Sequence, residues 1–72
     1  MDQDKYIGDN LRRLRKEKAL TQDQLAAKLQ TKGFDITRSA VAKMEVGQRH
    51  IYPNEMKALK EILYVSYDDL LE

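Results

Sequence analysis

The chain has 72 residues, of which 35% are charged and 42% are hydrophobic, and it contains no cysteine. This composition is typical of one small globular domain spanning residues 1–72, and it excludes a disulfide framework and a thiolate metal site. The net charge is only +1, but residues 11–50 carry ten Lys and Arg against four Asp and Glu, whereas both flanking segments are net acidic.

Weak alternation and few Gly and Pro residues predict an all-α fold of five helices. The first helix is predicted from about Tyr6 to Lys18. The second starts at the cap Thr21 and ends near Lys32, where Gly33 can adopt the left-handed conformation that closes a helix. The core residues expected at helical spacing are Ile7, Leu11 and Leu14 in the first helix, and Leu25, Ala26 and Leu29 in the second.

The third predicted helix begins at Thr37 and stops at Gly47, and its two faces differ in chemistry. On a 3.6-residue period, Ala40, Val41 and Met44 fall on one side and suit a core. The opposite face carries short side chains between two cationic ones, and it comprises Arg38, Ser39, Ala42, Lys43 and Val46. That face could be an ordinary solvated surface or a surface for a polyanion, and its charge alone does not decide between them.

The fourth helix is predicted to begin at Pro53, and a short fifth helix follows Ser66. Three helix starts share one pattern, in which a hydroxyl cap stands between two apolar residues that can form a hydrophobic staple. These caps are Thr21, Thr37 and Ser66. Thr21 also has Gln24 three positions later, which completes a capping box.

The second and third helices, at about residues 21–47, form a helix-turn-helix pattern, in which the second member lies in the DNA major groove. The runs LRKEKALTQDQLA (14–26), SAVAKMEVGQR (39–49) and PNEMKALKEILYVSYDDLL (53–71) resemble Cro/C1-type (XRE family) repressor domains. The resemblance covers nearly the whole chain and implies a compact five-helix repressor-type domain. One feature departs from the family pattern: the caps Thr21 and Thr37 are sixteen residues apart, because residues 30–36 lengthen either the second helix or the turn.

Position by position, the resemblance implies DNA contacts. Gln22 matches a residue that opens the second helix and contacts backbone and base. Arg38, Ser39 and Lys43 match positions that read base edges, and Arg and Lys suit the guanine O6 and N7 acceptors. Ala42 is small enough to let the helix sit deep in the groove, where its methyl can touch a thymine methyl.

Arg15 and Glu45 each lie at the edge of a buried stripe, and they match a family pair that ties the first helix to the third. We expect them to pair, because an unpaired half-buried charge is costly. Other residues lie where the chain approaches or leaves the groove, at helix N-termini that suit an anion or just after the third helix. The residues predicted to contact DNA phosphates are Thr21, Thr37, Gln48 and Arg49.

Apolar residues near the end of the sequence are candidate contacts of a homodimer on DNA, although they could equally close the core. These residues are Tyr64, Tyr67, Leu70 and Leu71. The leading interpretation is a transcriptional regulator, a repressor, that binds double-stranded operator DNA. An antitoxin-type regulator that binds both DNA and a toxin protein, and a protein-interaction module, stay open as alternatives.

Several classes of function lack a signal in the sequence. No nucleophile–base pair, phosphate loop or metal-ligand cluster is evident, so we expect no enzyme activity, no cofactor, no metal and no small-molecule substrate. No apolar run reaches the length of a membrane span, and residues 1–10 are polar and acidic. We therefore expect no signal peptide and no membrane contact, and a cytoplasmic location.

Overall fold

Local caps determine where the helices begin in residues 2–72, the part of the chain that the computed structural model describes. Within these residues there are five α-helices and no strand, which confirms the all-α prediction. The helices are α1 (Gln3–Glu17), α2 (Gln22–Thr31), α3 (Arg38–Glu45), α4 (Pro53–Leu63) and α5 (Tyr67–Leu71).

The hydroxyl caps are in place at three helix starts. Thr21, Thr37 and Ser66 each accept a hydrogen bond from the backbone amide three residues later. The prediction for the start of α1 was wrong: α1 begins three residues earlier than Tyr6, at Gln3. The Asp2 carboxylate extends it, because its Oδ1 accepts hydrogen bonds from the first-turn amides.

The core lies among the five helices, and the inner face of α3 packs against α1 and α2. α1 packs against α3 and α5, α2 packs against α3 and α4, and α4 also contacts α5. Val41 and Met44 of α3 are fully buried, so this short helix is held from two sides. The other fully buried large apolar residues are Leu11, Leu25, Leu29, Ile36, Leu59, Leu63 and Leu70.

A glycine allows α1 and α3 to approach closely. A Cβ at Gly8 would lie 2.3 Å from the carbonyl oxygen of Met44 and 2.8 Å from that of Glu45. Gly47, just after α3, has φ +78°, and a Cβ there would lie 2.6 Å from the Cα of Lys5. The C-terminal end of α3 is therefore seated directly on the backbone of α1.

The lengthened connection between α2 and α3 is a packed loop, residues 32–37. Gly33, with φ +94°, turns the chain after α2, and its amide donates to the Gln30 carbonyl at 2.9 Å. The Gln30 side chain donates to the Ile36 carbonyl at 2.9 Å. Ile36 is buried and Phe34 packs against the core, so the loop holds α3 at a defined place beside α2.

The C-terminal helix closes the core through Leu70, which is 0% exposed. The Leu70 carbonyl also accepts a hydrogen bond from the Asn10 side chain of α1 at 2.8 Å. Leu70 was predicted as a candidate dimer contact, and that prediction is wrong, because a residue sealed within the domain offers no surface to a second copy.

Candidate nucleic-acid interface

The helix α3 separates a buried inner face from an exposed outer face, as its residue spacing predicts. Arg38, Ser39 and Lys43 are exposed, and Ala42 is half-buried between them. Within residues 2–72, none of the three exposed side chains forms a hydrogen bond or an ion pair. Val46, at the end of the same face, is 53% exposed. The outer face of α3 therefore presents two cations and a hydroxyl whose hydrogen-bonding capacity is not used inside the domain.

A buried ion pair anchors the inner side of α3, and the structure brings the two expected residues together. Arg15 Nε donates to Glu45 Oε2 at 2.6 Å, and its Nη2 donates to Oε1 at 3.0 Å. The two side chains are only 8% and 1% exposed. Arg15 Nη1 also donates to the Leu20 carbonyl at 2.7 Å, so one guanidinium joins α1, the turn before α2, and α3.

Gln22 joins this network, a contact that the sequence did not reveal. Its Nε2 donates to Glu45 Oε1 at 3.0 Å, so that oxygen accepts from both Gln22 and Arg15. Gln22 is the first residue of α2 and is half-buried. The side chain predicted to contact DNA is therefore attached to the pair that positions α3.

The N-terminus of α2 is well formed and exposed. Thr21 Oγ1 accepts a hydrogen bond from the backbone amide of Gln24 at 3.0 Å. In return, the side-chain oxygen Gln24 Oε1 accepts one from the backbone amide of Thr21 at 2.8 Å. At the start of α3, Thr37 Oγ1 accepts from the Ala40 amide at 3.2 Å. Each cap satisfies one first-turn amide and leaves others able to donate to an anion, as helix N-termini do.

The segment after α3 places its two predicted phosphate-contacting residues in different surroundings. Gln48 is exposed, and its side chain makes no hydrogen bond within residues 2–72. Arg49 instead donates from Nη1 to Glu55 Oε1 at 2.9 Å and from Nη2 to Oε2 at 3.0 Å. A phosphate contact by Arg49 stays a prediction, and such a contact would have to share the guanidinium with Glu55.

Glu55 is a structural residue that the sequence interpretation missed. Burial raises its pKa, but hydrogen bonds from Arg49 and from the Tyr52 amide outweigh that effect and hold the pKa below its usual value. The hydrogen bond to Glu55 likewise raises the pKa of Arg49, against the opposing effect of burial. The sequence does indicate a capping role for Glu55, because it stands at the third position of a helix that starts with proline.

Arg38 and Lys43 are among the eight Lys and Arg residues that make no ion pair within residues 2–72, and unpaired cations occur in α1, α2 and α4 as well. Five of the thirteen Lys and Arg residues make ion pairs within residues 2–72, and both cations of α3 are outside that set. The paired residues are Lys5, Arg13, Arg15, Lys32 and Arg49. The single histidine, His50, is exposed, and its Nδ1 lies 2.9 Å from Asp4 Oδ1.

Of the candidate dimer contacts, the three other than Leu70 lie on the surface. Tyr64 is 87% exposed, and Tyr67 and Leu71 are each 42% exposed. Tyr67 packs under the Lys60 ammonium, which lies 5.0 Å from its ring centre. Their role in a dimer stays a prediction.

No helix in residues 2–72 combines the length and the apolar character that crossing a membrane requires.

Comparison with protein-family models agrees with this geometry. A model of the helix-turn-helix family matches residues 11–70, which include α2, α3 and α4. Comparisons with curated proteins and with solved structures give no significant match. The family match covers most of the chain, and it includes α2 and α3 with the exposed outer face of α3. The chain therefore belongs to the Cro/C1-type helix-turn-helix family of DNA-binding transcriptional regulators.

Proposed function

We propose that this regulator binds a specific double-stranded DNA site by placing the outer face of α3 in the major groove, and that it acts as a repressor. The observation that supports the proposal is the contrast between the two faces of α3, one packed in the core and the other exposed. Val41 and Met44 of its inner face are fully buried and an ion pair anchors that side, while Arg38, Ser39 and Lys43 are exposed with no partner within residues 2–72. A rigid helix with free donors is the arrangement that reading base edges requires.

Each residue of this face has a role that its chemistry supports. Arg38 can donate two parallel hydrogen bonds to guanine O6 and N7, and Lys43 can reach the same acceptors. Ser39 can donate or accept, and the Ala42 methyl can contact a thymine methyl. Gln22, the first residue of α2, completes the set of base-contacting residues that we propose.

Phosphate contacts would fix the position of α3 in the groove. Thr21 and Thr37 lie at helix N-termini, where free amides and the helix dipole favour an anion. Gln48 and Arg49 follow α3, where the chain leaves the proposed groove. These contacts carry no sequence information themselves, but they set the register from which the base-contacting side chains reach the bases.

A homodimer is proposed as the form that binds DNA. One recognition helix reads only a few base pairs, and paired domains bind half-sites about 34 Å apart, one helical turn. Tyr64, Tyr67 and Leu71 are exposed at the end of α4 and on α5 and can supply an apolar contact. Repression follows from occupancy, because a dimer bound across a promoter sterically blocks the polymerase.

Selection of bound duplexes from a random pool tests the proposal. We expect a recurring sequence, and we expect the affinity for it to fall steeply with added salt because phosphate contacts release counterions. Sedimentation with and without the selected duplex reports whether two copies bind. A pool that never converges on a sequence would contradict specific DNA binding.

A further inference from the structure

We propose that Glu45 is a positioning residue that fixes the orientation of the Gln22 side-chain amide and so determines which base Gln22 recognises. This inference rests on the proposed function, because it needs Gln22 to face DNA. Glu45 itself does not touch DNA, because its side chain is 1% exposed, and it acts through the 3.0 Å hydrogen bond from Gln22 Nε2 to Glu45 Oε1.

The chemistry of the two groups determines the orientation. A carboxylate that already accepts from Arg15 has only acceptor atoms, so the NH₂ end of the Gln22 amide must face it. Rotating the amide by 180° would place Gln22 Oε1 against Glu45 Oε1, two acceptors that repel each other. The Glu45 carboxylate cannot turn to relieve this, because Arg15 holds both of its oxygens, at 2.6 and 3.0 Å.

The locked amide offers a defined set of groups to a base. One N–H of Nε2 is taken by Glu45, and the other N–H and the carbonyl oxygen stay available. One donor beside one acceptor matches adenine, whose N7 accepts and whose N6 donates in the major groove. Guanine presents two acceptors there, O6 and N7, and an amide with its carbonyl oxygen locked in place repels one of them. Gln22 should therefore select adenine and reject guanine.

The test compares base preferences of three variants by selection from a random duplex pool. Gln22→Ala should lose the preference at one base position only. Glu45→Gln frees the Gln22 amide to rotate, because a side-chain amide at position 45 can donate as well as accept. At the base position that Gln22→Ala identifies, the wild type should prefer adenine over guanine by about fivefold or more. In Glu45→Gln that preference should fall below about twofold.

Glu17→Gln is the matched control, because it makes the same isosteric change in an exposed ion pair, with Arg13, at a residue that does not contact Gln22. We expect the base preferences of Glu17→Gln to match those of the wild type. If Glu45→Gln leaves that position unchanged, or relaxes every position equally, the positioning role is overturned. If Gln22→Ala alters no single position, it is overturned as well.

A measurement on the free wild-type protein covers the case in which Glu45→Gln does not fold. The Gln22 side-chain amide should be as rigid as the backbone by ¹⁵N relaxation, whereas Gln48, which has no side-chain partner in residues 2–72, should be mobile. Equal mobility of the two amides would overturn the proposal. A wild-type pool that fails to converge would instead refute specific DNA binding itself, which separates the two failures.

Discussion

The buried pair of Arg15 and Glu45 makes the strongest prediction about stability. Glu45→Ala removes a carboxylate that accepts three hydrogen bonds, two from Arg15 and one from Gln22. The Arg15 side chain, 8% exposed, is then left as a buried charge whose remaining partner is the Leu20 carbonyl. Removing one partner of a buried pair costs about 3–5 kcal/mol, much of it from the uncompensated charge.

That loss is comparable with the whole stability of a domain of this size, which is only about 3–5 kcal/mol from a single small core. A change of 1 kcal/mol shifts the melting temperature of such a domain by about 4–8 °C, so Glu45→Ala should lower it by at least about 12 °C. Circular dichroism at 222 nm during heating measures the shift.

Glu17→Ala is the control, because it removes the carboxylate of an ion pair with Arg13 whose side chains are 53% and 55% exposed. Such a surface pair contributes about 0–1 kcal/mol, and water and salt screen it. A second variant, Arg15→Met with Glu45→Leu, removes both charges and should recover most of the lost stability. Equal melting shifts for Glu45→Ala and Glu17→Ala would refute the reasoning.

Three further predictions concern stability, each measured by urea unfolding. Gly8→Ala should destabilise strongly, because its Cβ would lie 2.3 Å from a backbone carbonyl oxygen of α3, whereas Gly33→Ala has nothing within 4 Å and should cost only about 1–2 kcal/mol for its left-handed backbone; similar losses would contradict the close approach. The lowered pKa of Glu55 means that its pair with Arg49 stabilises fully above pH 4.5 and less as pH falls through the folded pKa, so the advantage of wild type over Glu55→Gln should shrink on acidification, and a constant advantage would contradict this. Tyr64→Gly should raise the midpoint slightly, because Tyr64 is 87% exposed and held at φ +55°; a lower midpoint would show that its ring contributes stability.

The sequence predicts the helix boundaries well wherever the signal is local. The caps Thr21, Thr37 and Ser66 lie where they were predicted, because a hydroxyl cap acts on amides only two or three residues away. The start of α1 was misplaced because the cap there is Asp2, which lies before the first apolar position at Ile7. An amphipathic stripe therefore shows which face of a helix is buried better than it shows where the helix begins.

The pairing of Arg15 with Glu45 was also predictable, because each residue flanks a core stripe and only a partner makes a buried charge tolerable. The bond from Gln22 to that pair was not, because it depends on how α2 is placed against α3 through the loop at residues 32–37. The close approach of α1 and α3 at Gly8 could have been predicted, since a glycine inside a helical pattern often marks a close backbone contact.

Some features of the candidate site could likewise be predicted from the sequence and others could not. The exposed face of α3 follows from its residue spacing, so Arg38 and Lys43 could be assigned to it from the sequence. The ion pair of Arg49 with Glu55 could not be predicted from spacing, because it joins a loop residue to the first turn of another helix. Spacing alone also did not show that Leu70 is buried and Leu71 exposed, because α5 has only five residues.

The most direct test of DNA reading by α3 is the affinity of Arg38→Ala for the selected duplex and for random DNA. We expect the variant to lose about 1–3 kcal/mol on the selected duplex, with relaxed specificity at one base pair and little loss on random DNA. Arg13→Ala, the same substitution in an exposed residue of α1 paired with Glu17, should leave both affinities nearly unchanged. Equal losses on the two DNAs for Arg38→Ala, or none on either, would contradict base reading by Arg38 on α3.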